Sequence, residues 1–237
     1  MWNWLKKILG SPKRKYLRWS KKKVMKAPSI EDRFTWIYQH NFWNNSESVS
    51  GSGSTLAFTK NLRSKLPILF AEYDIKTVFD APCGDFNWMR DVVSRTNIKY
   101  LGGDIVLPLV NENNKRYQDE RTSFILFDIT KDNFPDVDLL ICRDCLFHLS
   151  YSDIEKFING LQKSKIKYVL TSSHINTGFE NKDILSGDFR NIDLVRFPFD
   201  FPEPLQAIDD WIHPHQPRFM GLWRREDLIP FMKEVTA

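Results

Sequence analysis

An α/β fold, doubly wound about a mostly parallel sheet with helices on both faces, is what this sequence predicts. Three observations carry the prediction. From Lys76 onward, apolar runs of strand length alternate with stretches of helical character. Those runs are continuous, as expected of strands covered on both sides. Acidic residues recur at the expected strand ends, Asp80, Asp104 and Asp128, spaced evenly by 24 residues.

Taken in order, "KTVFD" (76–80) reads as the first strand. It is followed by a helix over "FNWMRDVV", in which Phe86, Met89 and Val93 share a face. "KYLGGDI" is the second strand, and a polar helical stretch spans about 107–118. "SFILFDI" and "VDLLICRD" are the third and fourth strands. A helix over "SDIEKFINGLQ" follows, opened by a capping box of Ser152 and Glu155, with Ile154, Phe157, Ile158 and Leu161 as its buried stripe. "KYVLTSSH" is the fifth strand. Pro198, Pro202, Pro204, Pro214 and Pro217 break residues 175–217 into an extended, irregular insertion. "RFMGLWRREDLIPFM" restores regularity as a strand and a C-terminal helix. Upstream, "FTWIYQHNFW" is too apolar to float free and is expected to pack on the domain. "SVSGSGS" (48–54) is either a plain linker or a loop that approaches a ligand, with Ser54 capping a helix over "TLAFTKNLRSKL".

At 237 residues and 42% hydrophobic, the chain can bury a core of this size. Residues 27–237 read as one domain. Its three cysteines make no disulfide framework, so a reducing, cytoplasmic setting is the default. The net charge of +4 is unevenly placed: residues 1–26 hold ten Lys or Arg and no acid, leaving the remainder at −6. This basic arm, carrying Trp2, Trp4 and Trp19, has neither the apolar stretch nor the cleavage site of a signal peptide, and no run in the chain reaches transmembrane length. It is a solvated tail, a peripheral anchor on an anionic membrane, or a contact to nucleic acid.

In open α/β sheets, ligands bind beyond the carboxyl ends of the strands. Asp104 there suits the vicinal hydroxyls of a ribose, and Asp128 could accept from an exocyclic amine. The corner after the first strand has a single glycine, so the dinucleotide fingerprint G-x-G-x-x-G is absent. Asp80 repels a pyrophosphate and favours a ligand with a cationic amino group.

The segments "VFDAPCGDFNWM", "YLGGDI", "FDI" and "DLLICRDCLFHL" together resemble the successive motifs of class I S-adenosylmethionine-dependent methyltransferases over roughly residues 75–175. The departure is that Pro82 and Phe86 stand where the family pattern has its first and third glycines. The form "DAPCGDF-W" is also similar to a bacterial subgroup found with surface-polysaccharide genes. The resemblance implies a Rossmann-like fold with a seven-stranded sheet and S-adenosyl-L-methionine as cofactor. It implies that Asp80, Ala81, Pro82, Gly84 and Asp85 hold the amino-acid part, Asp104 and Ile105 the ribose and adenine, and Asp128 and Ile129 the adenine amine and ring.

For a hydroxyl acceptor, His148 is the leading base, with Asp144 as its orienting partner or the base itself and His174 as a third option. Arg143 binds cofactor or an acidic substrate, or forms an ion pair with Asp144. Substrate recognition falls to the insertion, through Asn176, Asn181 and Arg190, with Phe197, Phe199 and Phe201 offering rings, two of them expected in the core. No metal site is expected, since "HPH" at 213–215 supplies too few ligands. The resulting expectation is O-methylation of a sugar or glycan, lipid-linked if the arm meets a membrane. The alternatives are an RNA methyltransferase and a non-catalytic cofactor-binding protein. The acidic body argues against RNA.

Overall fold

The continuous apolar runs become strands that pack on both faces. The computed structural model describes residues 29–228, together with Trp19, Lys22 and residues 24–27. In it, β1 (Thr77–Asp80), β2 (Lys99–Asp104), β3 (Thr122–Leu126), β4 (Leu139–Cys142), β5 (Tyr168–His174), β6 (Gln206–Asp209) and β7 (Arg218–Arg224) form one sheet. Its order is β3-β2-β1-β4-β5-β7-β6. The first five strands pair in parallel, with Asp80 level with Gly102 and with Ile141. Only β7 runs against its neighbours, pairing β5 with His174 opposite Arg218. The sheet is therefore mostly parallel, and its strand order reverses between β1 and β4, where a crevice opens.

Among the described residues, five α-helices accompany the sheet: α1 (Ile30–Gln39), α2 (Lys60–Glu72), α3 (Met89–Ser94), α4 (Leu107–Tyr117) and α5 (Tyr151–Gln162). Neighbouring residues on one strand serve opposite faces. Val78 joins a core with Leu62 and Leu66 of α2, Met89 of α3 and Val110 of α4. Phe79 joins a second core with Ile154, Phe157, Ile158 and Leu161 of α5, so the predicted stripe of that helix is its buried face. Ile30 and Phe34 lay α1 against this second core.

Several local expectations are corrected. The cap of α5 is Ser150, which accepts from the Asp153 N–H, so the cap lies two residues before the Ser152 of the expected Ser152–Glu155 box. Phe86 precedes α3 with a φ of 58° and is not part of it. Ser54 closes a 3-10 turn and caps nothing; α2 begins only at Lys60. Within 175–217, Gln206–Asp209 is the edge strand β6. The rest of that stretch has no helix, yet it covers the sheet: Ile192, Leu194, Phe199 and Phe201 join the α5-side core, whereas Phe197 is 71% exposed. The expected C-terminal helix and most of the basic arm lie outside the described residues.

Candidate active site

The carboxyl ends of β1 to β4 open into a cleft of about 1080 Å³, counting its open mouth. The corner after β1 forms its floor. Gly84 turns there with a φ of 56° and its N–H donates to Asp104 at 3.1 Å, while the Asn113 amide donates to the Gly84 carbonyl at 2.7 Å. A Cβ on Gly84 would lie 2.3 Å from the Ser50 hydroxyl, so glycine is what lets the segment before α2 cross this corner. Asp85 fastens that segment: it accepts from the Ser48 hydroxyl (3.0 Å), the Val49 N–H (2.9 Å) and the Ser50 hydroxyl (3.5 Å). Asp85 thus lines the cleft, but its carboxylate already serves the protein's own backbone.

Two acids sit deep in the cleft with little solvent. Asp80 is 2% exposed, and burial pushes its carboxyl up to about 7, against the lowering pull of the Tyr100 hydroxyl at 2.8 Å and of Arg143. Asp104 is pushed up to about 6 by burial, against the N–H groups of Val106 and Gly84 that donate to it. Asp128 behaves differently. Burial raises it, but the Lys131 ammonium at 2.7 Å and the Thr130 N–H and hydroxyl outweigh that and hold it below the usual carboxylate range. Between these acids lie Ile105, Val106, Leu109, Phe127 and Ile129, an apolar slot suited to a flat ring.

Beyond β4 the wall is charged. Arg143 is buried and grips Asp210 through both Nε (2.9 Å) and Nη2 (3.0 Å), donates to the Gly53 carbonyl (2.8 Å) and lies 3.3 Å from Asp144. Arg218 contacts the same two acids, at 2.9 Å from Asp144 and 3.4 Å from Asp210. Arg143 therefore lines the cleft with its valences committed. It meets the expected Asp144 but pairs chiefly with Asp210, a residue the sequence did not single out. Burial raises Asp144, yet Arg143, Arg218 and His148 hold it ionised below the usual range.

His148 lies in the cleft wall after a 3-10 turn over Leu146–His148. Its Nδ1 is 2.6 Å from the Asp188 carbonyl, which can only accept. In the neutral ring the hydrogen therefore sits on Nδ1 and the lone pair on Nε2.

The structure brings Asp80, Pro82, Gly84, Asp85, Asp104, Ile105, Asp128, Ile129, Arg143, Asp144 and His148 to this one cleft, with Ala81 buried at its base. It does not bring the others. His174 is 2% exposed and absent from the cleft wall; its Nδ1 accepts from the Ile192 N–H, and burial pushes its imidazole down to about 4. Asn176 closes a local turn through the Gly178 N–H and the Phe179 carbonyl. The Asn181 amide donates to the carbonyls of Asp193 and Phe197, and Arg190 donates to the Leu149 carbonyl from beneath Tyr151. These polar groups brace an irregular segment that lacks a helix's own backbone bonds. Further lining comes instead from Phe34, Tyr38 and Trp43, from Ser50 at the corner itself, and from Trp88. Each had a sign in the sequence: the apolarity of "FTWIYQHNFW" for Phe34, Tyr38 and Trp43, the alternative of a ligand-approaching loop at 48–54 for Ser50, and the motif "DAPCGDF-W" for Trp88. Among the described residues, no group of three ligating side chains could hold a metal ion, and no helix is long and apolar enough to cross a membrane.

No family model and no curated sequence matches the chain. Solved structures do. A SAM-dependent methyltransferase from Leishmania major superposes with a TM-score of 0.63 at 13% identity, over 85% of this chain and 89% of its own. The fold is that of the class I S-adenosylmethionine-dependent methyltransferases. Magnesium protoporphyrin IX methyltransferase from Synechocystis, solved with bound S-adenosylhomocysteine, shares this methyltransferase fold with a TM-score of 0.57 at 9% identity, over 80% of this chain and 93% of its own. So does a Burkholderia thailandensis 1,6-didemethyltoxoflavin-N1-methyltransferase, with a TM-score of 0.57 at 14% identity, over 82% and 86%. The methyl acceptors in these names differ widely, so the shared fold by itself points to no one substrate.

Proposed function

We propose that this chain transfers the methyl group of S-adenosylmethionine to a hydroxyl of a sugar or glycan. The observation that carries the methyltransferase reading is the pair Asp80 and Asp104, two buried carboxylates in one cleft, each held toward its neutral form by lack of solvent. The donor set fits the cofactor. Asp80 matches an ammonium, Asp104 a ribose diol, the slot from Ile105 to Ile129 an adenine, and Asp128 its amine. Neighbours of the same fold carry S-adenosylhomocysteine or S-adenosylmethionine. When bound, the cofactor supplies an electrophilic methyl on a sulfonium.

The chain's own residues do the rest: they align the acceptor, exclude water and take its proton. His148 is the base, because its lone pair resides on Nε2 and a neutral imidazole accepts readily near pH 7. Asp144, tied to two guanidinium groups, is too weak a base and acts as the anion that favours the imidazolium once it forms. His148→Gln is expected to lower kcat by about 100-fold or more while leaving S-adenosylhomocysteine affinity within twofold. Full activity in that variant would remove His148 from the role.

The sugar acceptor is favoured by the resemblance of "DAPCGDF-W" to methyltransferases found with polysaccharide genes and by the mixed aromatic and acidic wall around His148. The ten basic residues of 1–26 support peripheral docking on the anionic, cytoplasmic face of a membrane, where a lipid-linked acceptor would reside. Vesicles containing about a third anionic lipid should retain the full chain and release one lacking residues 1–26; equal retention would remove the membrane role.

A further inference from the structure

Resting on the methyltransferase reading, we infer that Trp43 and Phe189 form an aromatic clamp around His148 that receives the C–H face of a pyranose ring and so selects the acceptor. Both rings pack on the imidazole, Trp43 with its centroid at 6.0 Å and Phe189 at 5.7 Å. Both also keep open faces, at 38% and 55% exposure. Exposed aromatic surface costs free energy wherever it stays wet, and two such rings packed on one titratable side chain are not scattered surface apolarity: Trp43 and His148 line the cleft, and Phe189 adjoins it through His148.

Each ring is held from behind. Phe189 leans on Phe147 at 5.5 Å and on His174 at 6.4 Å, which gives the buried His174 ring a part in packing. Trp43 is backed by Gly51, whose φ of 95° brings the chain so close that an added Cβ would lie 3.2 Å from the Trp43 Cβ.

The charged groups beside His148 choose the guest. A flat aromatic acceptor would need only stacking. Here the Asp144 carboxylate, its side chain 22% exposed, lines the cleft with His148. A pyranose satisfies both kinds of wall: its axial hydrogens meet the electron-rich ring faces, while its hydroxyls meet an acceptor oxygen and the base.

The test uses the full-length protein loaded with S-adenosylhomocysteine. The probes are the methyl glycosides of glucose, galactose, mannose and rhamnose, with the open-chain polyol mannitol as control, each at about 20 mM, a level that fills a millimolar site. Saturation-transfer NMR should label ring C–H protons of at least one glycoside and leave mannitol unlabelled. Trp43→Ala and Phe189→Ala should each cut the labelling by about fivefold, whereas Trp43→Phe and Phe189→Tyr, which keep a ring, should restore most of it. Absence of labelling of any glycoside by the wild type, equal labelling of mannitol, or labelling by the alanine variants as strong as by the wild type would each overturn the clamp. Calorimetry of S-adenosylhomocysteine binding separates the two ideas: failure of the wild type to bind it brings down the methyltransferase reading, while intact binding without glycoside labelling brings down the clamp alone.

Discussion

Asp80→Asn removes one charge from the floor of the cleft and keeps the side chain's shape. The Asp80 carboxyl titrates near 7 in the fold, with burial as the main cause, against about 4 in an unfolded chain. Between those values the folded state keeps a proton that the unfolded state has lost. The Asp80 contribution to stability is therefore greatest below pH 4, falls as pH rises, and carries the whole penalty above pH 7. Three units at about 1.4 kcal/mol each give an upper bound of roughly 4 kcal/mol at pH 8. Asparagine never pays this, although it buries an amide N–H₂ in exchange. The ligand-free variant should thus melt higher than the wild type at pH 8, by about 5–10 °C.

Binding should move the opposite way. An ammonium ligand needs the ionised carboxylate, so wild-type affinity for S-adenosylhomocysteine should fall about tenfold per unit of pH below 7. At pH 8 the variant should bind about 10- to 100-fold more weakly, the loss of one charge-assisted hydrogen bond, and should show little pH dependence. Titration calorimetry at pH 6, 7 and 8, paired with scanning calorimetry of the ligand-free proteins, reads both effects. A wild-type affinity flat across that range, or a variant that binds as tightly as the wild type and melts no higher, would refute the pairing of Asp80 with a cationic ligand group.

Three further outcomes are expected. Asp104→Ala should weaken S-adenosylhomocysteine binding by at least about 100-fold, since a ribose loses two bonds to a carboxylate; unchanged affinity by calorimetry would move the ribose elsewhere. Asp210→Asn strips a partner from Arg143 and Arg218 in a buried cluster and should cost about 3–5 kcal/mol, lowering Tm by roughly 10 °C in a circular-dichroism melt; an unshifted melt would mean that the cluster is solvated. Gly84→Ala combines a left-handed backbone with a contact to the Ser50 hydroxyl and should destabilise by about 1–3 kcal/mol in urea. Adding Ser50→Ala should recover only the steric share, and complete recovery would show that the backbone angle is unstrained.

Much of the sheet was legible because its strands are buried on both faces, which leaves long apolar runs such as "DLLIC". The edge strand β6, "QAID", escaped because only Ile208 of its four residues is buried. The start of α5 was misread because Ser150 and Ser152 both stand ahead of an apolar stripe, and a one-dimensional pattern does not reveal which hydroxyl meets an N–H. The acids at the strand ends were visible as a period; the partners of Arg143 were not, because Asp210 reaches it across 67 residues. Asn181 and Arg190 looked like recognition groups for an intelligible reason: a helix-free segment and a binding site both concentrate polar side chains. In this fold the former explains them. Trp43 sits on the same principle reversed, an aromatic that reads as core and ends at the rim.

The clasp made by Asp85 has a bearing on the order of events in turnover. With Ser48, Val49 and Ser50 buttoned to the corner, a guest seated over Asp80 is covered on that side, while Trp43 and His148 line the cleft elsewhere. In the proposed reaction the methyl acceptor would stand beside Trp43 and His148. Whichever molecule lies deeper has to arrive first and depart last, so initial-rate kinetics should be sequential and ordered, and the spent cofactor should linger after the methylated product has gone.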